Sequence, residues 1–331
     1  MDLIVIFLSF VASLILTILV RKFLLKRNLL DRPNERSSHT LPVPRGGGWA
    51  LLIVLIPGLL VTGMRQHNLL EHAGLLLGVL LLAGISWFDD KKGVSARARL
   101  SLHLLAACLG TFCFPLQATL FGGAVPFVID RAIMIVGWAW FINLYNFMDG
   151  IDGITGVETI SLATGTCLVM AAIGLHDPFL ANLTLLLTGA ALGFLALNWH
   201  PAKIFLGDVG SIPLGYLTGF CLISLAVRGY LIPALILPLY YLADSGITIV
   251  RRALRGEKIW QAHRQHYYQQ AAHNLGKHDL VVLFIGVANG ALIAAALLAV
   301  IYPAMGLLLA ILIVALLLRN MLKLSHAPRE T

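Results

Sequence analysis

A chain of 331 residues that is 59% hydrophobic and only 12% charged carries many apolar runs of about 17–25 residues, the length that crosses a hydrocarbon core of about 30 Å, which excludes an ordinary soluble domain. The formal net charge of +8 sits largely in loops on one face of such a protein, so it calls for no nucleic-acid partner. The four cysteines, Cys108, Cys113, Cys167 and Cys221, lie within or at the ends of apolar runs without a CxxC pair, and read as small hydrophobes rather than disulfides or zinc ligands.

The fold class that follows is all-α. An unpaired backbone amide in lipid costs several kcal/mol, and the alternating pattern of a membrane barrel is absent. Eleven spans are predicted, near residues 2–25, 46–64, 70–88, 98–116, 127–147, 157–175, 179–197, 211–227, 229–250, 280–301 and 303–323. They form one polytopic helical bundle, a single integral membrane domain over 1–331. The first run lacks an N-terminal basic region and a small-residue cleavage site, and Arg21, Lys22, Lys26 and Arg27 follow it; it reads as a span with its N-terminus outside rather than as a signal peptide. Alternation then gathers the basic loops 26–45, 89–97 and 251–279 and the C-terminal tail on one face, with only Arg65, Arg131 and Arg228 toward the other. The positive-inside rule makes the basic face cytoplasmic.

The polar clusters fall between these spans. After span one comes RSSHTLPVPRGGG. After span three comes WFDDKKGVSARAR, where Asp89 and Asp90 either form a solvated turn paired with Lys91, Lys92 or Arg97, or share a cation, because adjacent acids repel. Span five ends in NLYNFMDGIDGITG. Asn143, Asn146 and Asp149 recur every three residues there, a slanted polar stripe that faces the bundle, and the following glycines permit close backbone approach to a ligand. Interhelical packing explains one asparagine but not several acceptor oxygens converging at one helix end. After span seven, FLGDVGSIPLGY offers Asp208 and Ser211 as helix caps, a role that still leaves Asp208 an oxygen for a metal. After span nine, AHRQHYYQQ holds His263 and His266, spaced to share one side of a helical turn, with Arg264 nearby, an arrangement suited to phosphate.

All five clusters follow odd-numbered spans, so the loops near 26–45, 89–97, 148–156, 198–210 and 251–279 are expected to build one cytoplasmic site. Carboxylate and amide oxygens suit Mg²⁺ or Mn²⁺, and with Arg and His they describe a site for an anionic, diphosphate-like ligand. GxxxxGK[ST] is absent, and GIDGITG follows a membrane helix rather than a strand, so neither a P-loop nor a dinucleotide fold holds that ligand.

DD at Asp89, NxxNxxDGxDG from Asn143 to Gly153, FLGDxGS from Phe205 to Ser211 and HRxH from His263 to His266, in this order, resemble the polyprenyl-phosphate N-acetylhexosamine-1-phosphate transferases, glycosyltransferase family 4 of the MraY/WecA type. The resemblance spans essentially the whole chain. It implies a multi-pass protein of the bacterial inner membrane that transfers an N-acetylamino-sugar 1-phosphate from a UDP-sugar to undecaprenyl phosphate, releasing UMP, with Mg²⁺ as cofactor. It further implies that Asp208 binds the magnesium, that Asp89 and Asp90 lie near the lipid phosphate as base or orienter, that Asn146, Asp149 and Asp152 belong to the nucleoside side, with Asp152 reading the uracil edge and Phe205 stacking on the base, and that Asn143 is a further substrate-binding residue. His263, Arg264 and His266 would grip phosphate or sugar; His39 and Arg45 are weaker candidates. Asp244 is either a family acid or a structural partner of Arg251. Tyr268 and Gln269 stand where further histidines would, and the first loop lacks the TPTMGG form of the peptidoglycan enzyme. Those departures resemble the WbpL-like subgroup that initiates O-antigen or other lipopolysaccharide chains, with GlcNAc, QuiNAc or FucNAc left open as the sugar. Membrane lipids, the two substrates and a homodimer are the expected partners. A transporter or flippase is the rival reading, but it expects acids near the bilayer midplane rather than at helix ends.

Overall fold

The computed structural model describes residues 2–33, 41–258 and 263–326. The elements run α1 (Asp2–Lys26), β1 (Leu30–Asp31), β2 (Val43–Pro44), α2 (Gly48–Arg65), α3 (Ala73–Lys92), α4 (Ala96–Thr111), α5 (Phe127–Phe147), α6 (Ile154–Ala172) and α7 (Pro178–Asn198). They continue with α8 (Asp208–Ala226), α9 (Leu231–Ile236), α10 (Leu239–Leu254), α11 (Tyr267–Leu275), α12 (His278–Ile301) and α13 (Pro303–His326). The chain is a polytopic helical membrane bundle. Eight described helices, α1, α2, α5, α6, α7, α8, α12 and α13, are long and apolar enough to cross a bilayer. The other three expected spans are helical but shorter. The apolar part of α3 covers Ala73–Asp89, α4 has 16 residues, and the 229–250 segment is broken around Pro238, whose ring and missing N–H interrupt a helix.

Burial separates inner from outer helices. In α8, 94% of the spanning window is buried, against 17% in α1. α8 packs against α2, α3, α5, α6 and α9. The Trp138 indole of α5 stacks on Tyr216 at 4.7 Å between centroids, and its N–H donates to the Tyr216 carbonyl at 3.0 Å. Where α2 starts, Gly48 faces Gly210, and a Cβ on Gly48 would overlap the Gly210 backbone; two small residues let the helix starts touch. α1 lies along α7, where Ser13 Oγ donates to the Ala190 carbonyl at 2.7 Å. α6 and α12 are joined by Asn289 Nδ2 donating to Glu158 Oε2 at 2.7 Å, both residues buried.

The two ends of the bundle differ. At one end the charges are spent locally: buried Asp130 accepts from the amides of Leu120 and Phe121, Arg131 donates to the Thr111 and Pro115 carbonyls, and Arg228 pairs with Asp177. At the other end the connections interlock. β1 and β2 form an antiparallel ribbon, Leu30 opposite Pro44 and Asp31 opposite Val43, and the chain after β2 bridges to the α7–α8 loop through Arg45 and Phe205. Gly47 N–H donates to the Phe205 carbonyl at 2.8 Å. The first loop is thereby fixed against the start of α8.

Candidate active site

Asp208 is the first residue of α8. The preceding Gly207 has φ +72°, a left-handed conformation that a side chain would strain, and the turn it makes sets Asp208 at the helix N-terminus, where the dipole favours a carboxylate. Arg45 Nη2 lies 2.8 Å from Asp208 Oδ1, with 19% of the Asp208 side chain and 42% of the Arg45 side chain exposed. One turn into α8, Ser211 Oγ accepts from Asn146 Nδ2 at 2.8 Å. The amide nitrogen of Asn146 is thus engaged, and the side chain keeps its carbonyl oxygen as an acceptor. Asn143, a turn earlier on α5, donates to its own helix at the Ala139 carbonyl, 2.7 Å away.

Asp149 follows the end of α5 and accepts from Thr155 Oγ1 at 2.6 Å. Withdrawal from water raises its pKa to about 6; the Thr155 hydrogen bond opposes this, the negative Asp208 adds to it, and Arg45 counteracts. Asp149 thus lies within electrostatic reach of Asp208 and Arg45, and Asn146 is tied to the first turn of α8. The donor chemistry of the two carboxylates and the amide oxygen fits a hard divalent ion such as Mg²⁺ or Mn²⁺, which would relieve the repulsion between Asp149 and Asp208.

Asp152 lies deeper. It is 7% exposed, and its Oδ2 accepts from His200 Nδ1 at 2.6 Å and from the Ala202 amide at 3.1 Å, with His278 Nδ1 at 3.4 Å. Burial works to raise its pKa, but the two histidines and the amide outweigh burial and leave it below the usual carboxylate value. The oxygen expected to read a base edge is therefore engaged by the protein. Phe205 lines the same cavity of about 500 Å³, with Val43, His200 and His278, so the aromatic and the acid proposed for the base do share one space.

The α3–α4 turn is a separate unit. Asp89 Oδ1 accepts from the Val94 amide at 2.6 Å and Oδ2 from Arg99 at 3.1 Å. Among the described side chains its cation is thus Arg99 rather than Arg97, because Ser95 caps α4 and brings Arg99, one turn in, back over the end of α3; the side chains of Lys91 and Lys92 lie outside the described residues. Asp90 stands in the last turn of α3, and its side chain lies outside the described residues, as does His39.

His263, Arg264 and His266 take different positions. His266 is 1% exposed, with Nδ1 3.1 Å from Asp244 Oδ1. Asp244 also accepts from the Tyr267 and Tyr268 amides at 3.1 and 3.3 Å, so it caps α11. A pair between Asp244 and Arg251 is not formed among the described residues; Arg251 lies over the Tyr267 ring instead. His263 stacks on His266 at 4.9 Å, and burial, then the neighbouring His266 and Arg252, push its pKa down to about 4, so it is neutral at pH 7. Arg264 lines a cavity of about 400 Å³ with Arg251 and Arg255. Tyr268 donates to the Phe147 carbonyl at 3.2 Å, which ties α11 to the chain just before Asp149.

Three residues at this end escape sequence reasoning. His200 and His278 meet Asp152 only through the fold. His103, on α4 four residues after Arg99, is buried beside Asn143 of α5, and lies within electrostatic reach of Arg99 and Asp208. An ionisable side chain within an expected span was the signal available for it.

Fold and site together define a multi-pass membrane protein whose polar centre is assembled at one end from loops and helix starts. Glycosyl transferase family 4 matches residues 72–226, from just before α3 through the end of α8. The chain is 28% identical over 292 residues to the probable undecaprenyl-phosphate N-acetylglucosaminyl 1-phosphate transferase of Bacillus subtilis (strain 168), covering 84% of this chain and 79% of that protein. It is 26% identical over 299 residues to the decaprenyl-phosphate N-acetylglucosaminephosphotransferase of Mycobacterium tuberculosis (strain ATCC 25618 / H37Rv), covering 76% of this chain and 71% of that one. It is 32% identical over 265 residues to the phospho-N-acetylmuramoyl-pentapeptide-transferase of Synechococcus elongatus (strain ATCC 33912 / PCC 7942 / FACHB-805), covering 70% of each. The chain belongs to the polyprenyl-phosphate hexosamine-1-phosphate transferase family, and is a phosphosugar transferase.

Proposed function

We propose that this protein transfers an N-acetylamino-sugar 1-phosphate from a UDP-sugar to undecaprenyl phosphate at the cytoplasmic face of the bacterial inner membrane, as the first step of an O-antigen or related surface polysaccharide. The observation that carries this reading is the grouping of Asp208, Asp149 and Asn146 with Arg45 at one end of the bundle, where a soluble nucleotide and a lipid phosphate can meet. Two of the relatives above are named for N-acetylglucosamine transfer to a polyprenyl phosphate, which makes UDP-GlcNAc the first donor to test.

Asp208 and Asp149, with the Asn146 carbonyl, would hold Mg²⁺, which when bound neutralises charge on the diphosphate. Arg45 places a guanidinium beside that diphosphate, able to donate two parallel hydrogen bonds to it. Phe205 offers a face to the uracil in the neighbouring cavity. An oxygen of the lipid phosphate forms the new bond to the sugar-bearing phosphorus, and the bond from that phosphorus to the bridging oxygen breaks, the electron pair leaving with UMP. A phosphate monoester has its second pKa near about 6, so the acceptor is already largely dianionic at neutral pH and needs little help from a base. Asp89, held by Val94 and Arg99, then acts by shaping the α3–α4 turn that carries Asp90 toward the lipid phosphate.

The test is UMP release by purified protein with Mg²⁺ across UDP-GlcNAc, UDP-QuiNAc and UDP-FucNAc, with and without undecaprenyl phosphate. Release that requires both lipid and metal is expected; no release from any donor would overturn the reading.

A further inference from the structure

Asp152, His200 and His278 come from the α5–α6 connection, the α7–α8 connection and the start of α12, and each offers one ligand atom, all within 4.8 Å of one another. The two imidazole rings lie side by side, 4.7 Å between centroids, on the wall of the 500 Å³ cavity that Phe205 also lines. His278 Nδ1 accepts a weak hydrogen bond from the Asp152 backbone amide at 3.4 Å. The same atom lies 3.4 Å from the Asp152 carboxylate, and a metal ion can take the place of the proton that a ring nitrogen otherwise shares with a carboxylate.

We propose that Asp152, His200 and His278 form a binding site for a zinc-class transition-metal ion, separate from the oxygen-ligand site at Asp208. Two imidazoles and one carboxylate are a borderline-soft donor set suited to Zn²⁺ or Co²⁺ and poorly suited to Mg²⁺. Tetrahedral bonds of about 2.0–2.1 Å put neighbouring ligand atoms roughly 3.3 Å apart. The His278 to Asp152 separation already matches that spacing, and the 2.6 Å contact from His200 needs to open by well under an ångström. All three residues line the cavity, which can supply water or a ligand as the fourth donor. Given the reading of that cavity as the nucleoside site, on which this one consequence rests, an ion there competes with the UDP-sugar.

The test is calorimetric titration of Zn²⁺ into the full-length detergent-solubilised protein with Mg²⁺ in excess, together with the visible spectrum of the Co²⁺-loaded protein. One ion per chain and a tetrahedral cobalt spectrum are expected, with His200→Ala and His278→Ala each weakening binding by at least roughly 10-fold. No high-affinity site in the wild type, or binding unchanged in both variants, would overturn the proposal; if those variants lower only Tm, the cluster is a hydrogen-bonded structural triad. Neither readout depends on turnover, so a failure here leaves the transferase reading standing, and failure of UMP release leaves the metal site standing. Where turnover is observed, Zn²⁺ should raise KM for the UDP-sugar in the wild type and not in His278→Ala.

Discussion

At the residue scale the contact between Arg45 and Asp208 joins the first loop to α8 through one partly exposed ion pair, whose contribution to stability is small. Asp208→Asn should therefore leave the protein folded, with Tm nearly unchanged, while lowering UMP release by roughly 10²–10³-fold or more, the scale seen when one charge-stabilising group is removed. His263 gives a pH-dependent outcome. Its pKa is depressed to about 4 from an ordinary 6.5, so between those values the unfolded chain binds the proton and the folded one does not. Stability from this group is present above about pH 6.5 and is lost as pH falls toward 4. His263→Gln should flatten the fall of Tm between pH 6.5 and 4.5 relative to wild type, an effect softened by the half-exposure of the ring; an unchanged slope would remove His263 as its source. Motif residues such as Asp149, Asn146 and Asp208 were legible because acids and amides at the ends of apolar runs demand a reason. The partners that occupy Asp152 and Asp89 were not, since hydrogen bonds from His200, His278 and Arg99 depend on how connections fold over one another.

At the element scale the helices follow from hydrophobic length, and the deviations have local causes. Pro238 breaks the ninth expected span. The 251–279 loop contains α11, whose start Asp244 caps from within α10, a job that spacing to Arg251 did not suggest. Between α6 and α12, Asn289 gives buried Glu158 its hydrogen bond. Asn289→Leu should destabilise the detergent-solubilised protein by about 1–2 kcal/mol, because it strands a buried acceptor. Changing both residues to leucine should recover part of that loss, measured as Tm against each single variant; additive losses would show that the pair does not tie the helices.

At the scale of the whole molecule, one end of the bundle carries a few locally closed charges, Asp130, Arg131 and the Arg228–Asp177 pair, and the other carries the interlocked connections with Arg45 on Asp208, Arg99 on Asp89 and the histidines on Asp152. If the end with the interlocked connections is cytoplasmic, a membrane-impermeant thiol reagent added outside intact cells should label Gly123→Cys, in the α4–α5 connection, and fail to label Gly93→Cys, after α3, in a background lacking the native cysteines. The reverse pattern would invert the topology. α8, enclosed almost entirely by protein, has one more implication, and it concerns synthesis. Among its main packing neighbours in the described residues α9 comes later in the chain, whereas α2, α3, α5, α6 and α7 precede it. The ribosome therefore delivers α8 into a socket most of whose walls have already been made, and the polar cluster around Asp208 can be assembled while the last two spanning helices are still to be translated.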